Sequence, residues 1–158
     1  MSDTYDYSYV VGEHCLPEGW FELFLQMCED IREPLEKGGC LDRFRFLDVK
    51  EKYGSMRLYS SGATEEVQDI LFKYEFLSQQ VCCLCGKPAT LETDGYICPY
   101  CDECVAKSGE SPDSAVSIRI RTHYTRTRYH DGEETSTVVS VEDEWNRYLE
   151  RVGVQFDT

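Results

Sequence analysis

The fold is decided by Cys82-Cys83-Leu84-Cys85 and Cys101-Asp102-Glu103-Cys104, two cysteine pairs in the middle of the chain. Two residues stand between the cysteines of each pair, and fifteen residues separate the pairs. A tight turn within each pair brings both sulfurs to one ion, so two pairs supply the four thiolates of a closed tetrahedral Zn²⁺ site. Gly86 supports this interpretation, because the chain must turn sharply after the second ligand and glycine tolerates a positive φ. The sequence therefore predicts a zinc ribbon with four ligands: Cys82, Cys85, Cys101 and Cys104.

The choice of ligands needs an argument, because the block from Cys82 to Cys104 holds six cysteines. Cys98 and Cys101 are also separated by two residues, but pairing them shortens the spacer to twelve residues and leaves Cys104 without a role. Using Cys83 in place of Cys82 leaves one residue within the first pair and spoils its turn. Cys83 and Cys98 are therefore predicted to be small buried apolar side chains or spare thiols.

Two redox interpretations compete with zinc. The string Cys98-Pro99-Tyr100-Cys101 looks like a glutaredoxin active site, but that motif needs a long helix after it, and the Ser, Gly and Pro of residues 108–112 would break one. The run of Cys98, Cys101 and Cys104 resembles three ligands of a ferredoxin-type cluster, yet the next cysteine is missing because position 108 is serine. Because the sequence lacks these features of the two redox motifs, a zinc site is favoured.

The composition indicates a small, acidic protein with reduced thiols. The 158 residues include 30 acidic and 16 basic side chains, a formal net charge of −14. Such a surface repels nucleic acid and anionic membranes and suits a basic partner, although many proteins are acidic merely for solubility. No apolar run is long enough for a membrane span, and the N-terminus lacks a signal-peptide pattern. Nine cysteines with ligand spacing indicate thiols kept reduced, so we expect a cytoplasmic protein.

Residues 1–81 are predicted to form a helix, a hairpin and a second helix. Before them, three tyrosines alternate with polar residues and suggest an edge strand or an acidic arm: Tyr5, Tyr7 and Tyr9. The first helix starts near Pro17, is kinked or ended by Pro34, and stops at Gly38-Gly39. The hairpin covers residues 43–60 with a type II′ loop at Gly54-Ser55, which places Lys52 opposite Arg57. Thr64 caps the second helix.

The chain continues with the ribbon, residues 82–105, and a C-terminal hairpin and helix, residues 106–158. A polar linker leads into a strand over 116–129, a turn at Asp131-Gly132, a return strand over 135–141, and a helix that ends at Gly153. The predicted fold class is α+β, a helix–hairpin–helix core with an inserted zinc ribbon, in which the N- and C-terminal segments pack as one domain. Apolar periodicity predicts the following core: Trp20, Phe24, Ile31, Leu47, Val49, Leu71, Leu77, Trp145 and Leu149.

Residues 15–105 resemble a family of small uncharacterised proteins of bacteria and their phages. The resemblance rests on Gly19-Trp20, on Val49-Lys50-Glu51-Lys52-Tyr53-Gly54, and on the cysteine pairs with Gly86 and Gly95-Tyr96 between and around them. Members of that family carry a Val-Lys-Glu-Lys-Phe-Gly-like hairpin before a four-cysteine ribbon. The resemblance implies a fold and a phage-like provenance and no established activity, and residues 106–158 lie outside it.

Two basic clusters are candidate contact sites for an anion or a partner. The first lies on one face of the central hairpin: Lys50, Lys52 and Arg57, beside Tyr59. Like charges facing each other across strands are destabilising, so an acidic group is expected over them, either from this chain or from a ligand. The second is the C-terminal hairpin, where aromatic residues alternate with four arginines: Arg119, Arg121, Arg126 and Arg128. Acidic residues that follow in the sequence are expected to compete for these arginines.

The sequence favours a binding protein over an enzyme. His14, His123 and His130 have no spacing typical of a metal triad or a nucleophile–base pair, and a four-cysteine zinc site has no open coordination position. We therefore expect a non-enzymatic, zinc-stabilised protein, a phage-type inhibitor that occludes a basic host protein of nucleic-acid handling or defence. The alternative is a nucleic-acid-binding accessory factor that uses the arginine-rich hairpin and the ribbon.

Overall fold

The structure is a computed structural model and describes residues 16–109 and 112–154. This part of the chain contains four α-helices and seven short strands. The helices are α1 (Phe21–Lys37), α2 (Glu65–Ser78), α3 (Asp102–Lys107) and α4 (Glu142–Val152). The strands are β1 (Arg45–Lys52), β2 (Ser55–Ser61), β3 (Leu91–Glu92), β4 (Pro99–Tyr100), β5 (Val116–Ser117), β6 (His123–His130) and β7 (Glu133–Ser140). They form two hairpins, β1-β2 and β6-β7, and a small sheet in the order β4-β3-β5. This mixture confirms the predicted α+β class. The alternating tyrosines Tyr5, Tyr7 and Tyr9 lie outside the described residues.

Helices α1 and α2 form the centre of the fold, and their apolar stripes are the clearest success of the sequence pattern. The predicted stripe of α1 is buried along its whole length, from Trp20 to Leu35. The helix passes through Pro34 and ends at Lys37, followed by Gly39 with φ +65°. At the start of α2 the Thr64 hydroxyl accepts a hydrogen bond from the Val67 amide at 3.3 Å, as predicted for an N-cap. None of the described helices has the length and apolar character needed to cross a bilayer.

The loop of the β1-β2 hairpin differs from the prediction by one residue. Tyr53 and Gly54 both have positive φ, 54° and 78°, which is the type I′ rather than the type II′ loop. The register therefore changes, so that Lys50 rather than Lys52 faces Arg57, and Lys52 faces Ser55. The reason is tertiary: a Cβ on Gly54 would lie 3.0 Å from the Ile97 side chain of the ribbon, and the Gly54 amide donates to Glu51 at 3.0 Å.

Leu47 was predicted to lie in the core and is 68% exposed. The register of β1 and β2 shifts between Phe46 and Asp48, which leaves Leu47 as the extra residue of a β-bulge. An extra residue resets the alternation of faces, so Phe46 and Val49 point inward although they are three positions apart. Leu149 is partly buried against the core, and the other predicted core residues are buried.

The predicted long strand over 116–129 is divided into β5 and β6. Between them the backbone bonds to side chains and loops instead of to a neighbouring strand: Gln80 holds the amide and the carbonyl of Arg121, and Ile118 donates to Thr90 at 2.9 Å. Strand β5 thus belongs to the ribbon sheet, whereas β6 starts a separate hairpin. The turn at Asp131-Gly132 is confirmed, with φ of 51° and 81°.

Helix α4 returns the chain to α1 and completes the core. Its start after Val141 and its end at Gly153, with φ +70°, agree with the sequence pattern. Trp145 and Tyr148 are buried, with ring centroids 5.0 Å apart. The buried Gln26 of α1 donates to the Glu144 carbonyl at 2.9 Å.

Replacing Leu71 with alanine is expected to lower the free energy of unfolding by roughly 2–5 kcal/mol, because the side chain is 5% exposed and its loss leaves a cavity in the core. Leu25→Ala on α1 is the matched control, since that leucine is 45% exposed and its truncation should cost under about 1 kcal/mol. Urea unfolding measures both. Equal effects of the two substitutions would mean that α2 does not pack as described.

Candidate metal centre

The four predicted ligands are brought together by the fold. The sulfurs of Cys82, Cys85, Cys101 and Cys104 all lie within 4.8 Å of one another. The Cys85 and Cys101 sulfurs are 3.6 Å apart. A tetrahedral ion with metal–sulfur bonds of about 2.3 Å needs sulfurs about 3.8 Å apart, so this cluster has the dimensions of a four-thiolate site. The four cysteines can therefore hold one metal ion.

The first knuckle is a tight turn that brings one backbone amide close to a sulfur. The Cys82 amide donates to the Lys87 carbonyl at 2.8 Å, and the Gly86 amide donates back to the Cys82 carbonyl at 3.0 Å. The Lys87 amide approaches the Cys85 sulfur at 3.5 Å. Gly86 has φ +79°, the conformation expected from the sequence. Amide donors of this kind stabilise a negatively charged sulfur.

The second knuckle is the junction of β4 and α3. Cys101 is the N-cap residue of α3, and Cys104 lies in its first turn, where its amide donates to the Cys101 carbonyl at 3.1 Å. Strand β4 sets the position of Cys101 because it pairs with β3, which pairs in turn with β5. The short sheet thus ties the second pair of ligands to the C-terminal segment.

The first knuckle is also hydrogen-bonded to the helical core, a connection that the cysteine spacing alone could not predict. The Gly19 amide donates to the Cys83 carbonyl at 3.1 Å, and the Trp20 indole donates to the Val81 carbonyl at 2.9 Å. The Tyr148 hydroxyl of α4 donates to the Gly86 carbonyl. Burial raises the pKa of Tyr148, so the hydroxyl stays protonated and remains a donor. The ribbon is therefore built into the core rather than attached to it.

The thiols differ in how readily they lose a proton. Burial raises the pKa of Cys85 and, more strongly, that of Cys104. Burial favours a higher pKa for Cys101 as well. Hydrogen bonds from the Cys104 amide and from the neighbouring thiols outweigh the effect of burial, so the pKa of Cys101 is lowered. Since the thiolate is the form that binds metal, an ion bound here would displace the protons of these thiols.

Cys83 and Cys98 lie outside the cluster and contact each other. Both are buried, with 5% and 4% exposure. A hydrogen bond with Cys98, followed by burial, raises the pKa of the Cys83 thiol. Cys83 is thus a neutral thiol within the core, and Cys98 is buried beside it. All eight cysteines in the described part of the chain are free of disulfides.

The cations of the central hairpin have acidic neighbours within the chain. Lys50 forms an ion pair with Asp48 at 3.0 Å and lies 5.5 Å from the centre of the Tyr59 ring. Lys52 lies 5.7 Å from the Tyr53 ring. Arg57 is close to Glu75 of α2. Burial raises the pKa of Glu75, and the hydrogen bond from the Leu58 amide and the charge of Arg57 offset part of this rise. An intramolecular anion therefore stands beside Lys50 and beside Arg57.

The four candidate arginines of the C-terminal hairpin region divide into two pairs. Arg126 and Arg128 reach across to α2, where both bind Asp69 and Arg128 also binds Glu65. Arg121 stacks on Phe76, with its guanidinium 5.0 Å from the ring centre, and Arg119 is exposed. The acidic residues that neutralise the first pair come from α2, far away in sequence, and not from the residues that follow the hairpin.

A groove of about 690 Å³ lies between α2, the β6-β7 hairpin and α4. Charged side chains line it, but they pair with one another: Lys73 binds Glu144 at 3.0 Å, and Arg147 binds Asp30 at 2.6 Å. Of the three histidines, His123 and His130 lie exposed on β6, and His14 falls outside the described residues. The groove thus presents no unpaired set of acid, base and nucleophile.

Comparisons with protein-family models, with curated proteins and with solved structures gave no match. The resemblance of residues 15–105 to the phage-associated family therefore stays a prediction. The chemistry of the site comes from the chain itself: four converging thiols, buried on the core side, that can hold a metal ion.

Proposed function

We propose that this chain is a zinc-stabilised binding protein that acts by covering the surface of a basic protein partner and catalyses no reaction. Zinc is the proposed ion because four thiolates at tetrahedral spacing are a typical structural zinc set, and soft sulfur ligands select against magnesium and calcium. With all four positions taken by sulfur, the ion has no place for water or substrate and acts as a cross-link. Free thiols suit a reducing cytoplasm.

The observation that carries the proposal is the pairing of Arg126 and Arg128 with carboxylates of α2. These two arginines hold the hairpin in place, and their charge is used within the chain. A net charge of −14 then dominates the surface and opposes nucleic acid. Charge complementarity of this kind speeds encounter with a basic partner and disfavours other partners.

Helix α4 is the proposed contact element. Glu142, Asp143 and Glu150 are exposed on it, and none of them forms an ion pair within residues 16–109 and 112–154. At 3.6 residues per turn, Glu142 and Glu150 lie about 80° apart around the helix axis, so both fall on its polar half. A partner whose own nucleic-acid-binding surface is rich in lysine and arginine fits this side, and binding there occludes that surface.

The test is capture with the tagged full chain from a bacterial lysate, followed by competition. A captured basic protein should lose its nucleic acid when the chain is added. Binding should weaken with salt and with the double substitution Glu142→Gln and Glu150→Gln. The control is Asp42→Asn with Glu133→Gln, which removes the same charge from exposed positions on other elements and should leave binding unchanged.

The nucleic-acid-binding alternative depends on Arg119 and Arg121, the two of the four candidate arginines that form no ion pair with a carboxylate of the described residues. If the alternative holds, the chain itself binds DNA or RNA at low salt, and Arg119→Ala with Arg121→Ala flattens the salt slope by about two phosphate contacts. We expect no such binding. These two positions test the point more cleanly than all four arginines, since removing Arg126 and Arg128 also loosens the hairpin.

A further inference from the structure

The outer edge of β7 is an open sheet edge. Within the described part of the chain, β7 pairs only with β6, and every residue from Glu133 to Val138 is exposed. Val138 is 68% exposed, although valine usually occupies strands with a covered face. A two-stranded hairpin needs a further strand or a helix against one face to be stable. Arg126 and Arg128 tie this hairpin to α2, and within the described residues the outer edge of β7 stays open to a further strand.

The hairpin geometry shows which backbone groups point outward. Asp131 and Gly132 form a type I′ loop, so His130 and Glu133 exchange hydrogen bonds next to it. Hydrogen-bonded and non-hydrogen-bonded pairs alternate from there, which makes Thr127 and Ser136 a non-hydrogen-bonded pair. Their hydroxyls lie 3.2 Å apart, as expected for the closely spaced side chains of such a pair. The amide of Ser136 therefore points out of the hairpin.

From Thr135 onward this edge carries none of the usual protection against pairing. Natural edge strands are guarded by lysine, proline, inward charge or a bulge. Residues 135–141, Thr-Ser-Thr-Val-Val-Ser-Val, contain no charge and no proline, and the register with β6 runs without a shift. In a chain with 29% charged residues, six consecutive uncharged residues on this strand, Thr135 to Ser140, indicate that its edge is covered.

We propose that β7 pairs antiparallel with β7 of a second copy of this chain, giving a four-stranded sheet across a two-fold axis. Such an interface uses the same edge from both copies, as cyclic dimers require. With Thr137 on the axis, the outward-pointing amide and carbonyl of Ser136 form hydrogen bonds with those of the partner's Val138. Glu134 then faces the partner's Ser140, so the two Glu134 carboxylates stay about 20 Å apart along the strands, beyond the screening length of about 8 Å.

The charge pattern favours a second copy over the basic partner proposed above. A lysine- or arginine-rich strand needs carboxylates along the edge that it joins, and residues 135–141 supply none. The rest of the surface is strongly acidic, so two copies repel each other except where the chain is locally neutral. This edge is such a place, and self-association there has the smallest electrostatic cost.

The test is the mass of the full chain with its metal in solution, measured by light scattering after gel filtration and by sedimentation. We expect twice 18.3 kDa for the unmodified chain. Ser136→Pro removes the outward amide and, symmetrically, two hydrogen bonds per dimer, which should weaken dimerisation about a hundredfold or more. Thr127→Pro is the matched control: it removes the outward amide of the other edge and the same hydroxyl contact with Ser136, and it should remain a dimer.

A second variant separates the interface from any effect of proline on the hairpin. Val138→Lys leaves every backbone donor in place and brings two lysines together across the two-fold axis, so it should also be monomeric. Unchanged thermal unfolding and metal content would show that the variants fold. A monomeric unmodified chain overturns the proposal, whether its β7 edge is bare or covered by another segment. Dimers that survive both Ser136→Pro and Val138→Lys, or that Thr127→Pro also abolishes, overturn it equally.

Discussion

Replacing Cys104 with serine is expected to release the metal and to unfold at least the ribbon. Metal binding to a four-thiolate site contributes about 10–16 kcal/mol in small zinc domains, which is comparable to the whole stability of a protein of this size. Loss of one thiolate opens the tetrahedron, and the six-residue helix α3 has few other contacts to hold it. The same result is expected for serine at each of the other three ligands. Metal analysis and circular dichroism measure the two effects.

The matched controls are Cys98→Ser and Cys83→Ser, in the same segment and of the same chemistry. Neither sulfur belongs to the cluster, so both variants should keep one metal ion per chain. They should lose some stability, since each places a hydroxyl among buried thiols. If Cys98→Ser lost the metal while Cys104→Ser retained it, the ligand set would be wrong.

The second large effect is expected from Gly19→Ala. A Cβ at Gly19 would stand 2.2 Å from the Cys82 carbonyl oxygen and 2.8 Å from the Gly86 nitrogen. Both are backbone atoms of the first knuckle, so relief requires the ribbon to move away from α1. We expect a loss of more than about 4 kcal/mol, in the range of the most disruptive single substitutions. Weaker metal binding should accompany it, because the displaced backbone carries Cys82.

Gly38→Ala is the control for this substitution. Neither glycine has a positive φ, so the added methyl group differs only in the space that it meets. At Gly38 the nearest atom is a methyl carbon of Thr64 at 3.0 Å, which can shift, and the cost should stay below about 1 kcal/mol. Chemical unfolding with zinc present gives both values. A Gly19→Ala protein as stable as the control would contradict the packing of the ribbon on α1.

The features that the sequence predicted well are local ones. The cysteine spacing identifies the four cysteines that the fold brings together, because each knuckle is a turn of a few residues whose geometry depends on neighbouring positions. The stripes of α1 and α2, the cap at Thr64 and the Asp131-Gly132 turn also depend on residues that are close in sequence. For these elements, periodicity and turn chemistry were sufficient.

The features that the sequence did not predict depend on contacts between distant segments. The Tyr53-Gly54 loop is set by Ile97 of the ribbon, and the end of β5 by the side chain of Gln80. The bulge at Leu47 inverts a face without any glycine or proline to signal it. The metal centre also depends on a distant contact that the sequence did not predict. Nothing near Cys82 indicates that the Tyr148 hydroxyl donates a hydrogen bond to the Gly86 carbonyl.

The pairing of Arg128 with Glu65 shows why a run of basic residues in the sequence does not by itself identify an unpaired basic surface. A run of arginines without acidic residues is typical of nucleic-acid contact, but the opposing charges lie 63 positions earlier. The one signal in the sequence is the acidic first turn of α2, Glu65 and Glu66, which the helix dipole also favours.

The most direct test of the metal-stabilised fold is the metal content of the intact, natively purified chain. Native mass spectrometry with elemental analysis should find one zinc ion per 18.3 kDa chain. X-ray absorption at the zinc edge should find four sulfur neighbours at about 2.3 Å. A folded chain free of metal, an iron–sulfur cluster in place of zinc, or a zinc ion with nitrogen or oxygen ligands would contradict the account.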